Sequence, residues 1–259
     1  MLSPVFIQAR DLDDAWFQFL YNCYHNGRKY KITSGSYEGQ YRYALDFAFA
    51  YIRDPHKRPL APTVPENSPL PPPTTEEEIE QYFLDYLMSG KLVPNEHYRY
   101  GTWIVGGEYE IPPINGKYKG KIVDSPSYLV EVPNQLQWVI DHFKEKGFGN
   151  EHCYITIGYP ESNFWYDVPY DNPNDRKTSP CLRGLDFRII DGKLITYCYF
   201  RSHDLVAGFP TNLGGITLLN EYVATALDVE PGALFYASKS LHCYDHAWDY
   251  LKARLGKEE

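Results

Sequence analysis

Apolar residues recur at three- and four-residue spacing over residues 11–26, where Leu12, Ala15, Trp16, Phe19, Leu20 and Cys23 fall on one side. That period predicts an amphipathic helix. Asp11, Asp13 and Asp14 crowd its first turn, where negative charge suits the helix dipole, and Gly27 follows as a stop. A second stripe, Ile79, Tyr82, Phe83, Tyr86 and Leu87, follows Thr75 and three glutamates. Thr75 and Glu78 stand at capping-box spacing, so a helix starts there and ends near Gly90. A third stripe, Leu136, Val139, Ile140 and Phe143, predicts a helix over 134–146. Residues 42–52 are dense in aromatic and apolar side chains and read as one buried strand. Further strands are expected at 154–159, 185–190 and 194–200, and a helix at 213–227. Residues 106–133 are punctuated by Gly, Pro and Lys and read as hairpins or loops.

The clearest interruption is residues 55–73, with eight prolines in nineteen residues. Proline cannot donate to a backbone ladder, so this stretch predicts an extended surface loop. It reads as an ordered excursion rather than a linker, which leaves residues 1–259 as a single domain. Composition fits a globular chain: 43% of residues are apolar and 16% aromatic, with 24 tyrosines. The net charge of −9 argues against nucleic acid as the main partner, since phosphate backbones want a basic face; a local basic pocket for one anion stays open. No run approaches the ~20 apolar residues that cross a membrane, and the start lacks a basic-then-apolar leader pattern. The five cysteines are odd in number and have no CxxC spacing. Reduced thiols in a cytoplasm are the expectation, with neither a disulfide framework nor a zinc site.

Polar, Pro- and Asn-rich residues 160–177 lead into Cys181. A cysteine is a nucleophile as its thiolate, and its reference pKa of about 8.5 must be lowered by nearby positive charge. Arg183 and Arg201 supply such a field if the strands that carry them lie side by side. The residues alone read Cys181 as a small core hydrophobe more readily than as a nucleophile. Arg28, Lys29 and Lys31, ahead of Thr33-Ser34-Gly35-Ser36, are a candidate phosphate cradle or a solvated loop.

Four fragments stand in a fixed order: Ser179-Pro180-Cys181-Leu182, Phe200-Arg201-Ser202-His203-Asp204, Gly208-Phe209-Pro210-Thr211-Asn212, and Leu241-His242-Cys243-Tyr244. With a strand-turn-strand-helix-strand pattern between them, they resemble the thymidylate synthase family. The resemblance implies an α/β (α+β) fold: a large twisted mixed sheet with helices packed on one face, forming a homodimer through the sheet. It implies methylation of dUMP to dTMP, with methylene-tetrahydrofolate or a related pterin as co-substrate and no metal. It also implies roles. Cys181 adds to the pyrimidine ring, splitting a hard substitution into addition, transfer and elimination. Arg201 and Ser202 hold the phosphate, Asn212 reads the pyrimidine edge, His242 and Tyr244 hold the sugar hydroxyl, and Asp204 faces the pterin. Tyr100, in Tyr98-Arg99-Tyr100-Gly101, stands beside the nucleophile, and Glu80 orders water near the ring. The residues alone also read as a strand-end salt bridge (Arg201), a turn hydroxyl (Ser202), a helix N-cap (Asn212), a turn or cap (Asp204), a satisfied polar group (His242) and a solvated glutamate (Glu80).

The sequence departs from the family pattern in three places. Leu182 stands where many members have His, and Phe200 where many have Gln. Phe148-Gly149-Asn150-Glu151-His152 occupies the place of two adjacent arginines that reach the partner's nucleotide phosphate. Arg28, Lys29 and Lys31 are the candidate replacements. The chain end after Tyr244 is short and charged, as in the methanogen-type branch, which brings tetrahydromethanopterin in as a carrier. Two alternatives stand beside the methyltransferase reading: a hydroxymethylase acting on dUMP, dCMP or CMP, and a non-catalytic nucleotide-binding homologue. Asn212, rather than Asp, resembles the uracil-using members.

Overall fold

The computed structural model describes residues 2, 4–34, 37–64, 70–94, 96–118, 121–168 and 177–257. In chain order the elements are β1 (Pro4–Ala9), α1 (Leu12–Asn26), β2 (Arg28–Lys31), β3 (Tyr41–Leu45), β4 (Phe47–Ile52) and α2 (Glu76–Tyr82), which runs on into a π-helical turn, Phe83–Leu87. Then come α3 (Gly101–Ile104), β5 (Gly107–Ile111), β6 (Ile114–Tyr118), β7 (Lys121–Ser125), β8 (Tyr128–Val132), α4 (Gln135–Lys146) and β9 (Tyr154–Thr156). A 3-10 segment, Pro160–Tyr166, precedes β10 (Leu182–Ile190), β11 (Lys193–Phe200), β12 (His203–Asp204), α5 (Gly208–Leu227), β13 (Glu230–Ser238), β14 (Leu241–Tyr244) and α6 (Trp248–Arg254).

The main sheet has six strands in the order β1-β4-β13-β11-β10-β9. It is mixed: β1 with β4 and β11 with β13 run parallel, while β4 with β13, β10 with β11 and β9 with β10 run antiparallel. A smaller sheet, β12-β14-β3-β2, adjoins it, and two hairpins, β5 with β8 and β6 with β7, fill residues 107–132. Helices α1 and α5 pack on the main sheet and on each other. Alternation does the sorting: Val5, Ile7 and Ala9 of β1 and Ala48, Ala50 and Ile52 of β4 are buried in one core. Each large apolar side chain sealed there contributes roughly 1.5–3 kcal/mol. The intervening positions carry an aromatic layer, with Phe6 against Phe49 at 6.1 Å and Tyr51 and Tyr197 each 4.9 Å from Phe235. Phe6 is 67% exposed. No helix among the described residues is long and apolar enough to cross a membrane.

Local chemistry sets the helix starts. The Asp11 carboxylate accepts from Asp14 N at 2.9 Å. Thr75 and Glu78 form a reciprocal capping box at 3.2 and 3.0 Å, and the Asn134 side chain accepts from Gln137 N at 2.8 Å. Helix α5 contains Gly214 and Gly215 mid-helix, where glycine costs helix stability. The cause is proximity: a Cβ on Gly215 would lie 2.5 Å from Tyr82 Cδ1, and one on Gly214 2.8 Å from Ile79 Cγ2. The pair lets α5 and α2 touch.

Several sequence expectations need correction. Residues 42–52 are two strands, not one: at Asp46 the chain leaves the small sheet, where β3 pairs β14, and enters the main sheet, where β4 pairs β1 and β13. The expected strand at 154–159 ends at Thr156, because Gly158 turns the chain with φ +82°. Helix α5 begins at Gly208, not Leu213. The described part of the proline-rich stretch packs on the body: Leu60 is buried, Thr63 O accepts from Arg254 at 2.9 Å, and Pro71 O accepts from the Tyr250 hydroxyl at 3.0 Å. Gly35 and Ser36, residues 65–69 and 169–176, and Glu258 with Glu259 lie outside the described residues.

Candidate active site

Cys181 sits on the bend just before β10, half-buried, its thiol free. The antiparallel pairing of Leu182 with Phe200 brings the start of β10 to the end of β11, and Arg201 N donates to Cys181 O at 2.9 Å. The Arg201 guanidinium then folds back over the same bend. Its Nε donates to Pro180 O at 2.9 Å, and its Nη2 donates to Ser179 O at 2.8 Å and to the Tyr166 hydroxyl at 2.5 Å. Burial opposes charge on Arg201, but the Cys181 sulfur, then Tyr166 and Tyr98, outweigh it and hold its pKa above the usual arginine value. A planar fork suits this clamp: one side chain fixes the turn and sets positive charge beside the sulfur.

Cys181 opens into a cavity of about 470 Å3. Arg201, Ser202 and Tyr244 line it with the cysteine, as do Arg42, Tyr98 and Lys239. The cavity lies where the two sheets meet, bounded by the ends of β11 and β13 and by β3 and β14. Tyr98 lines the cavity beside the sulfur, and burial first, then neighbouring Tyr100 and Cys181, push its pKa well above the phenol range. Tyr100 is buried behind the same bend, where its hydroxyl accepts from Leu182 N at 3.2 Å. The expected tyrosine thus fixes the backbone next to Cys181, and Tyr98 faces the thiol.

On the opposite wall, Tyr244 pairs across the strands with Arg42. Burial pushes the Tyr244 hydroxyl up to about 12. His242, two residues back on β14 and behind the cavity lining, is 2% exposed and packs edge-on against Tyr244 at 4.7 Å. Its Nδ1 is 3.1 Å from Ser240 O, and its Nε2 has no partner among the described residues. Burial, then the charge of Arg42, lower its pKa to about 4, so the imidazole is neutral. A buried unpartnered ring nitrogen costs free energy unless a ligand hydroxyl meets it.

Asn212 is not an N-cap. It lies inside the first turns of α5, and its Oδ1 is 3.0 Å from Nε2 of His203, whose Nδ1 is 3.0 Å from the Tyr236 hydroxyl. His203 stacks on Phe200 at 3.8 Å, and burial lowers its pKa to about 3. With the ring neutral and the amide oxygen an acceptor, Nε2 carries the proton and Nδ1 accepts from Tyr236. Asp204 caps the approach to α5: its Oδ1 accepts from Val206 N at 2.9 Å and Ala207 N at 3.4 Å, and burial raises its pKa. Neither Asn212 nor Asp204 lines the cavity.

Other expected residues lie apart. Glu80 is exposed on α2 and does not line the cavity; its charge acts on Arg58. Arg183 points away from the cavity towards Gly158 and Tyr109. Arg28 pairs with Asp46 and Lys29 with Asp245, and neither they nor Lys31 reach the cavity. Among the described residues no group of three His, Cys, Asp or Glu is arranged to hold a metal ion.

A family model described as thymidylate synthase matches residues 114–259, more than half of the chain. The chain belongs to the thymidylate synthase family. Proteins named "Putative thymidylate synthase" from Methanosarcina acetivorans and Methanosarcina mazei are each 28% identical over 248 residues, covering 95% of this chain and 92% of the relative. One of the same name from Methanothermobacter thermautotrophicus is 36% identical over 80 residues, 31% of this chain and 35% of its own. Thymidylate synthases in general bind dUMP and a folate co-substrate. Against that background, Cys181, Arg201, Ser202 and Tyr244 were legible as motif residues and do share one cavity. Arg42, Lys239 and Tyr98 were missed: no motif marks them, and strand pairing between distant segments brings them in.

Proposed function

We propose that this protein is a thymidylate synthase-type methyltransferase that converts dUMP to dTMP, with Cys181 as nucleophile. The observation that carries the reading is a half-buried thiol in no disulfide, on a bend whose backbone Arg201 clamps, opening into a cavity lined by cations and hydroxyls. The thiolate forms a bond to carbon 6 of the pyrimidine, and the 5,6 double-bond electrons move onto carbon 5 and the O4 enolate. The methylene-pterin co-substrate supplies the one-carbon unit and, for a methyl product, the hydride. Carbon 5 bonds to that unit and loses its proton, the bond from the unit to the carrier nitrogen breaks, and hydride from the carrier, left oxidised to its dihydro level, reaches the exocyclic carbon as the thiolate departs and the ring is restored. Tyr98 and Arg201 lie beside the sulfur, and the neutral His242 and the Tyr244 hydroxyl suit a sugar hydroxyl. Asn212, its amide oxygen held by His203, stands outside the cavity lining and is not given the reading of the uracil edge. The exposed aromatic layer of the main sheet is the face proposed for homodimer contact.

The test is incubation with dUMP and dCMP, each with methylene-tetrahydrofolate and methylene-tetrahydromethanopterin, read by mass spectrometry. A product 14 Da heavier than dUMP supports the methyltransferase, as expected for one added CH2. A hydroxymethyl product, heavier by one further oxygen, supports the hydroxymethylase. Nucleotide binding with no product from either carrier contradicts turnover.

A further inference from the structure

The cavity of Cys181 carries an electrostatic feature that no motif accounts for. In a chain of net charge −9, Arg42, Arg201 and Lys239 all line it, and no Asp or Glu is among its described lining residues. Parallel pairing sets Phe200 opposite Ser238, so the next residues, Arg201 and Lys239, leave the ends of adjacent strands about 4.8 Å apart. Lys239 N donates to Phe200 O at 3.2 Å, which fixes this arrangement. Arg42 enters from β3 opposite Tyr244, its guanidinium 4.8 Å from the Tyr30 ring. Its Nε is buried with no hydrogen-bond partner among the described residues, and neither is Ser240 Oγ on the same cavity wall partnered. Like charges gathered on one cavity repel, and buried unpaired donors are costly. One multivalent anion relieves both at once.

We propose that Arg42 and Lys239 join Arg201 to seat the phosphate of a monophosphate ester, with Ser202 and Ser240 as hydroxyl donors, all from a single chain. Three cations match a dianion: Arg42 offers a forked donor, Arg201, whose Nε and Nη2 hold the bend, offers Nη1, and lysine offers a point charge. The chain thereby supplies from β3 and the end of β13 the positive charge that Phe148-Gly149-Asn150-Glu151-His152 does not. This inference rests on the nucleotide reading only for the identity of the ester; the anion seat stands on the cavity itself.

The experiment is titration calorimetry with dUMP, deoxyuridine and inorganic phosphate on the wild-type protein, Lys239→Ala, Lys239→Glu, Arg42→Gln and an Arg28→Ala, Lys31→Ala control. Lys239 is exposed, so its variants fold even if loss of the Arg42 stack does not leave the protein intact. The wild type binds dUMP more tightly than deoxyuridine. Lys239→Ala and Arg42→Gln each weaken dUMP and phosphate binding roughly tenfold, the value of one charged hydrogen bond. Lys239→Glu weakens them further, while deoxyuridine binding and the control stay at wild-type level. If both Lys239 variants bind dUMP as the wild type does, the phosphate seat lies elsewhere and the nucleotide reading survives. If the variants lose inorganic phosphate but the wild type binds dUMP no better than inorganic phosphate, the seat stands and the pyrimidine reading fails. Binding of none of the three ligands overturns both.

Discussion

Acid should unfold this protein through two buried imidazoles. Burial lowers His203 to about 3 and His242 to about 4, against about 6.5 in the unfolded chain. Both groups are therefore neutral when folded, and below pH 6.5 the unfolded state binds protons that the folded state does not. The sign follows: stability is full above pH 6.5, begins to fall as pH drops through that value, and keeps falling until each folded-state pKa is reached. Each group costs about 1.4 kcal/mol per pH unit in that window, so by pH 5 each has removed about 2 kcal/mol and the pair about 4 kcal/mol. That is a large part of the 5–15 kcal/mol of an ordinary domain. Asp204, whose pKa is raised by burial, works the other way and offsets part of the loss as it takes up its proton. Glu221, which burial would raise, is held at about 2 by His56 and Arg58 and adds to the loss as pH falls from its ordinary 4.5 towards that value. Urea unfolding at pH 8, 6.5, 5.8 and 5 reads the slope directly. A His203→Gln variant starts lower at pH 8, by about 1–3 kcal/mol for the disturbed bonds to Tyr236 and Asn212. Its slope between pH 6.5 and 5 is about half that of the wild type. Equal slopes in the two proteins, or a flat wild-type curve over that window, would refute the reasoning.

Gly215→Ala tests the contact between α5 and α2. Alanine gains about 1 kcal/mol in helix propensity, but its Cβ meets a buried ring atom at 2.5 Å, and such overpacking costs about 1–3 kcal/mol. The urea midpoint should fall; a rise would mean that the two helices are not in close contact. Thiol chemistry tests the isolation of Cys181. Burial pushes Cys23 up to about 12 and Cys153 to about 11, and raises Cys198 and Cys243 further. Iodoacetamide applied to the native protein at pH 7.5 should label Cys181 well before the other four, as mapped by peptide mass; equal labelling of any buried cysteine contradicts the fold around it.

What the sequence made legible was local. The stripes of α1 and α4, the Thr75–Glu78 box and the β10–β11 hairpin followed from spacing and capping chemistry, because those signals are carried by neighbours in the chain. The Arg-Ser and His-x-Tyr fragments marked residues whose side chains do converge or lie adjacent. What was hidden was non-local. Nothing in residues 42–52 shows that Asp46 divides two sheets, since both halves are apolar enough for either. Asn212 looked like a cap because a polar residue ahead of an apolar run often is one. Its actual partner, His203, sits nine residues back, and Tyr236 locks that histidine from another strand. Arg42 and Lys239 carry no local signature at all. Their shared cavity is a product of strand order, with β3 meeting β14 and β13 lying beside β11.

Hydrogen exchange at carbon 5 of dUMP tests the central claim most directly, because it needs no one-carbon carrier. Addition of the Cys181 sulfur to carbon 6 turns carbon 5 into a proton acceptor, and reversal then releases dUMP with solvent hydrogen in that position. In D2O the carbon-5 proton signal of dUMP should disappear with the wild-type protein and persist with Cys181→Ala. Exchange that survives the Cys181→Ala substitution, or a wild-type protein that binds dUMP and exchanges nothing, would contradict the assignment of Cys181 as nucleophile.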